Sequence, residues 1–162
     1  MMAASFMIWA RHDRPLVLIA DNGSLLGVMT DQGRALSKEK GAGFVARNWL
    51  ENDGDPSSQL VAASLWGTGM KRTKGAQVGA YEFVHLIGKK AVSEFDRCQS
   101  DQIVIASVET QRDFGNCTVH DPKMLRNTGS IGLYMKGDEA VFITARDISG
   151  DRIWSAWPSN QP

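Results

Sequence analysis

Three histidines, two cysteines and one basic glycine-rich stretch are where this 162-residue chain could do chemistry. His12, His85 and His120 are far apart in sequence, so neither a His-x-His-x-Asp-His cluster nor a His-Glu-x-x-His helix is present. Cys117-x-x-His120 with Asp121 and the distant Cys98 would supply four zinc-type ligands. That spacing lacks a second close pair, and Asp121 is better explained as a helix cap. No metal and no cofactor is expected.

Gly67-Thr-Gly-Met-Lys-Arg-Thr-Lys-Gly75 concentrates positive charge, but it is not a phosphate cradle. A cradle places glycine before Lys-Ser/Thr at a helix start, whereas here Lys74 precedes Gly75 and a strand follows. The stretch reads as a solvated basic loop whose Lys71, Arg72 and Lys74, extended by Lys89 and Lys90, could touch a phosphate backbone. Nucleophilic catalysis has little support. Ser64, Ser107 and Ser130 lack the G-x-S-x-G elbow, and neither cysteine has a nucleophile's context. Asp53 and Asp55 fall in a mobile polar loop, where burial would not raise a carboxyl pKa. No catalytic residue is assigned, and the chain is expected not to be an enzyme.

Eighteen Lys+Arg balance eighteen Asp+Glu, so net charge gives no sign of a strongly basic nucleic-acid binder. An apolar content of 43% excludes a disordered chain, and five Trp with sixteen Gly indicate tight turns between anchored strands. The two cysteines are consistent with buried thiols in a reducing compartment or with a bridge in an oxidising one, and compartment is the missing variable.

The elements that must position these residues begin after an apolar N-terminal segment, residues 1–14. Met1–Ala10 is too short to cross a bilayer, which takes about 20 helical residues, and it lacks the positive start of a signal peptide. It reads as a loosely packed start or as the exit end of a membrane helix. Residues 15–157 read as one globular domain, and 158–162 as a tail. Leu16–Ala20 and Leu25–Met29 flank Asp21-Asn22-Gly23-Ser24, a hairpin signal. A turn at Asp31-Gln32-Gly33 adds Arg34–Ser37, completing a three-strand meander. Phe44, Val45, Trp49 and Leu50 mark one face of a helix. Glu51–Gln59 reads as a flexible excursion, Leu60–Trp66 as a short helix, and Val78–Ile87 as one or two strands around Gly79. Ala91–Cys98 reads as a helix ending at Cys98, and Ile103–Val108 as a central strand buried on both faces. Asp121-Pro122 and Gly129 punctuate a helix, and Ile131–Met135 pairs with Ala140–Ala145. From Asp147 the chain reads as a tail holding Trp154 and Trp157. The class is α+β or a two-layer α/β arrangement, a meander followed by strand, helix and hairpin.

The order of several stretches resembles the C-terminal region of the ComEC competence family, in its alphaproteobacterial branch. The stretches are Ala91–Cys98, Ile103–Val108, Cys117-x-x-His120-Asp121, Met124-Leu125-Arg126-x-x-Gly129 and Gly150-Asp151-Arg152-x-Trp154-Ser155. In front of them, Val17-Leu18-Ile19-x-x-Asn22-Gly23, Val28-x-x-x-x-Gly33-Arg34-x-Leu36 and Phe44-x-x-x-x-Trp49-Leu50 look like the segment after that family's last membrane span. The chain departs from the branch pattern in lacking cysteines around Gly67–Val78 and in having Ile153 where proline is usual.

The resemblance implies a shortened, degenerate metallo-β-lactamase-like domain without the histidine-aspartate cluster. It implies a location on the periplasmic face of the inner membrane, beside the channel portion through which transforming DNA enters. That setting makes a Cys98–Cys117 disulfide the expectation. The function expected is a non-catalytic accessory domain that contacts single- or double-stranded DNA weakly. The alternatives are a metal-dependent nuclease or hydrolase of metallo-β-lactamase type and a purely structural interaction module.

Overall fold

The computed structural model describes residues 14–66, 72–137 and 139–150. Met1–Ala10, Lys71, Trp154, Trp157 and the tail 158–162 lie outside the described residues. The chain runs through strands β1 (Val17–Ile19), β2 (Leu26–Thr30) and β3 (Gly33–Leu36), then helices α1 (Gly43–Asp53) and α2 (Gln59–Ser64). A hairpin of β4 (Thr73–Val78) and β5 (Tyr81–Leu86) follows, with α3 (Gly88–Glu94), β6 (Gln102–Ala106) and β7 (Thr118–His120). Helix α4 (Pro122–Thr128), the hairpin β8 (Ile131–Lys136) and β9 (Glu139–Thr144), and α5 (Ala145–Ser149) complete it. The fold is α+β, as its sequence leads one to expect.

Two sheets share the work. The first, ordered β3-β2-β1-β8-β9, is antiparallel throughout, with Val17 paired to Val28 on one side and Leu133 on the other. The second, ordered β4-β5-β6-β7, has an antiparallel pair β4–β5 and then parallel pairs β5–β6 and β6–β7. One apolar cluster lies between the sheets and joins Val17, Ile19, Leu26 and Val28 of the first to Phe83, Ile103 and Ile105 of the second. Burying Phe83 alone is worth roughly 2–3 kcal/mol of transfer free energy. A second cluster packs Leu25 and Leu36 against Ala46 and Leu50 of α1 and Ala62 of α2. A third packs Val84, Leu86 and Val104 against Ala91 of α3 and Phe114. Helices therefore cover the outer face of each sheet, outside the two layers expected.

Local chemistry explains most boundaries. The β1–β2 turn carries Gly23 at φ +65°, and a Cβ there would come within 2.3 Å of the Ala106 carbonyl oxygen, so only glycine fits. Asp121 caps α4 by accepting a hydrogen bond from the Met124 N–H (2.9 Å), Pro122 opens the helix and Gly129 closes it at φ +70°. Residues Ile103–Ala106 are all buried because β6 lies between two parallel neighbours with apolar clusters on both faces.

Several boundaries differ from expectation. The helix placed at Ala91–Cys98 begins at Gly88 and ends at Glu94, so Cys98 follows the helix rather than ending it. Gly88 sits at φ +83° and its N–H bonds to Ser107 Oγ (2.8 Å), a tertiary contact that starts the helix early. Lys74 and Gly75 belong to β4 rather than to a loop, because the hairpin register extends back to Thr73↔Leu86. The central strand stops at Ala106, although the Ser107 N–H still donates to the Leu86 carbonyl (3.0 Å). Phe44 is 71% exposed, so α1 is anchored through Ala46 and Leu50, with Val45 and Trp49 packed alongside. Residues 145–149 form α5, held by a reciprocal Thr144–Asp147 capping box, where only tail was expected from Asp147.

The segment Glu51–Gln59 is loop only over residues 54–58. Glu51–Asp53 is the last turn of α1, Gly54 ends the helix at φ +74°, and Gln59 already belongs to α2. Asp53 is buried against Arg34, whose guanidinium Nη2 donates to Asp53 Oδ1 and to the Pro15 carbonyl, each at 3.1 Å. Room for the arginine comes from Gly27, where a Cβ would lie 2.9 Å from Arg34 Cδ and 3.2 Å from the Trp49 ring.

Candidate functional site

The expected basic site is only partly assembled. The Ile87 N–H donates to the Arg72 carbonyl (2.8 Å), which sets Arg72 at the end of the β4–β5 hairpin where α3 begins. Lys89 and Lys90 occupy the first turn of α3 and are exposed. Arg72, Lys89 and Lys90 therefore share one end of the second sheet. Lys90 also pairs with Glu94 at 3.6 Å, an exposed one-turn pair that contributes only a few tenths of a kcal/mol, on the order of 0.3. Lys74 does not join this group. It pairs in register with His85, and residues directly opposite in an antiparallel pair share a face, so Lys74 points inward between the sheets. Lys71 lies outside the described residues.

The same end of the molecule holds a buried polar relay that sequence reasoning missed. His85 Nε2 lies 3.0 Å from the Gly23 carbonyl, and Nδ1 lies 2.8 Å from Ser37 Oγ. A carbonyl only accepts, so Nε2 carries the proton and Nδ1 accepts the Ser37 hydroxyl hydrogen. Ser37 Oγ in turn accepts from the Leu26 N–H (3.0 Å). Burial, reinforced by the positive charge of Lys38 and opposed by the bond to Gly23, pushes the His85 pKa down to about 4. The imidazole is neutral at ordinary pH. It resembles a serine–histidine dyad in composition, yet His85 is 0% and Ser37 2% exposed, so no substrate reaches either. The arrangement is a brace that ties β5 of the second sheet to the β1–β2 turn and the end of β3 in the first. Its partners are 48 and 62 positions away in sequence, which is why no local pattern announces it.

Beside this brace, Asp121 does more than cap. Burial raises its carboxyl pKa, but bonds from the Thr110 N–H and hydroxyl and from the Met124 and Lys123 N–H groups outweigh that and leave it below the ordinary carboxylate value. The carboxylate thereby fixes the irregular crossover between β6 and β7. Burial lowers the pKa of His120, and neighbouring Asp121 partly offsets this. Arg126 of α4 pairs with Glu109 on the same crossover.

Cys98 and Cys117 are joined by a disulfide with their Cα atoms 5.9 Å apart, within the third apolar cluster. Both sulfurs are thus committed, and the Cys98, Cys117, His120, Asp121 zinc set loses its thiolates. Among the described residues no group of three or more His, Cys, Asp or Glu side chains is arranged to hold a metal ion. Among them also no helix is long and apolar enough to cross a membrane.

Comparison with protein-family models, with curated proteins and with solved structures finds no match for this chain.

Proposed function

We propose that this chain is a non-catalytic, extracytoplasmic accessory domain of a ComEC-like DNA-uptake system, lying on the periplasmic face of the inner membrane next to the channel portion. The observation that carries the reading is the convergence of Arg72, Lys89 and Lys90 at one end of the second sheet, in a chain whose formal charges balance overall. Three exposed cations suit contact with a phosphate backbone and carry no means of reading sequence. The Cys98–Cys117 disulfide supports the compartment, because disulfides persist where the surroundings are oxidising. The serine–histidine pair supports a non-catalytic role, since it is spent on joining the two sheets.

DNA contact of this kind is weak, non-specific and salt-sensitive, with affinity falling log-linearly as salt rises. Fluorescence anisotropy with a labelled oligonucleotide at low ionic strength tests it. Reversing Arg72, Lys89 and Lys90 together to glutamate is expected to abolish binding, while Lys74→Glu leaves it unchanged. Absence of binding by the native protein, or binding indifferent to the triple reversal, refutes the proposal.

A further inference from the structure

Five strands face four. Among the described residues, β4 has a hydrogen-bonded neighbour on its β5 side only, so the opposite edge of the second sheet is an unpaired ladder six residues long. Beside that edge the inner face of the first sheet runs on, and between them lies a slot of about 310 Å³. Its walls include Leu16 and Val28 of the first sheet, Leu65 and Trp66 after α2, and Ala76 and Val78 of β4.

The inward residues of β4 define what would fit. Lys74, Ala76 and Val78 lie opposite His85, Phe83 and Tyr81, and so face the first sheet. Lys74 is half-buried, and among the described residues no carboxylate forms an ion pair with it. An occupant therefore needs three properties at once: backbone groups to complete the ladder, apolar side chains at alternate positions to fill the slot, and an acidic group to meet Lys74. An extended polypeptide strand has all three. A second copy of β4 does not, because its own inward residues would bring Lys74 to face Val78 and only alanine to the middle of the slot.

We propose that the edge of β4 opposite β5, which has no hydrogen-bonded neighbour among the described residues, is a docking site for an extended segment of a partner polypeptide. That segment adds a fifth strand to the second sheet, placing an acidic side chain beside Lys74 and apolar side chains beside Ala76 and Val78. Its Ala76 and Val78 half points away from Arg72, Lys89 and Lys90 while Lys74 lies next to that end, and the docking does not depend on DNA contact.

The test uses the full chain and two probes: the N-acetylated, C-amidated peptide Thr-Val-Thr-Leu-Thr-Glu-Thr and its reversed sequence, one for each strand direction. One of them is expected to slow hydrogen exchange of alternate β4 amides at least tenfold at saturation. Lys74→Glu is expected to weaken that probe at least tenfold, and replacing the probe's glutamate by lysine to restore binding to the variant. Lys74→Gln, which adds no negative charge, serves in its place if Lys74→Glu does not fold. An edge lysine that merely discourages strand pairing would show no such charge swap. The inference is overturned if neither probe protects β4 at millimolar concentration, if protection maps elsewhere, if affinity ignores the charge at position 74, or if sedimentation shows the native protein dimerising through β4.

Discussion

The outer helices of the two sheets are fastened by opposite means. On the first sheet, α1 is held by a largely buried ion pair, in which Arg34 of β3 meets Asp53 at side-chain exposures of 0% and 8%. On the second, the chain after α3 is held by a covalent bridge from Cys98 to Cys117. The difference follows from topology. The β1–β2–β3 meander of the first sheet is antiparallel and made by short turns, so these three strands pair with near neighbours and a single polar contact locates the helix. The second sheet needs parallel crossovers, and the one between β6 and β7 has no helix to pack down. A disulfide and the Thr110–Asp121 bonds take the place of that missing packing. An irregular crossover is the costliest part of such a sheet to order, and it is where the strongest restraint is found.

Removing one half of the ion pair gives the largest effect. Asp53→Ala leaves the Arg34 guanidinium buried and unpaired, which costs about 3–5 kcal/mol by denaturant titration. Replacing both groups, Arg34→Met with Asp53→Ala, is expected to recover most of that loss, because the penalty is for an uncompensated charge. If the double variant is as unstable as the single one, the pair fastens α1 through geometry and the contrast drawn here fails.

Reducing the disulfide sharpens the other side. The bridge spans 19 positions, and the chain-entropy model assigns a loop of that size roughly 3 kcal/mol. The melting temperature should fall on reduction, and hydrogen exchange should accelerate in β6 and β7 while β1–β3 keep their relative protection. Equal loss of protection in both sheets would show that the bridge stabilises the whole molecule alike.

The His85 brace belongs to both sheets and responds to pH. Its pKa is about 4 when folded against an ordinary value of 6.5, so the unfolded chain binds the proton first as pH falls. The stability from the neutral imidazole is complete above pH 6.5 and is lost progressively down to about pH 4. Between pH 7 and pH 5 that amounts to about 2 kcal/mol. Comparing the pH dependence of unfolding with that of His85→Gln isolates it, since the variant removes this slope. An identical slope in the two proteins would show that His85 is not the group responsible.

What was legible in the sequence was local. Asn22-Gly23 between apolar runs, the β-branched run at Ile103, and the Asp121-Pro122 and Gly129 punctuation each encode a turn, a buried strand or a helix limit through the backbone preferences of a few adjacent residues. The α+β class follows from their order. The basic residues were visible by composition, but the face each would take was not. Lys74 left the cluster because a hairpin register reaching back to Thr73 turned it inward.

The chain by itself determined its turns, its caps and its central strand, because those depend on dihedral preferences and short-range hydrogen bonds. Only the tertiary structure decided that the Asp53 side chain would be largely buried, that His85 would join Ser37 and Gly23, and that β4, among the described residues, would have a neighbour on its β5 side only. Each depends on which strands become neighbours. The free energy that selects neighbours is the burial of apolar surface, which is non-directional and leaves no short-range trace in the residues it brings together.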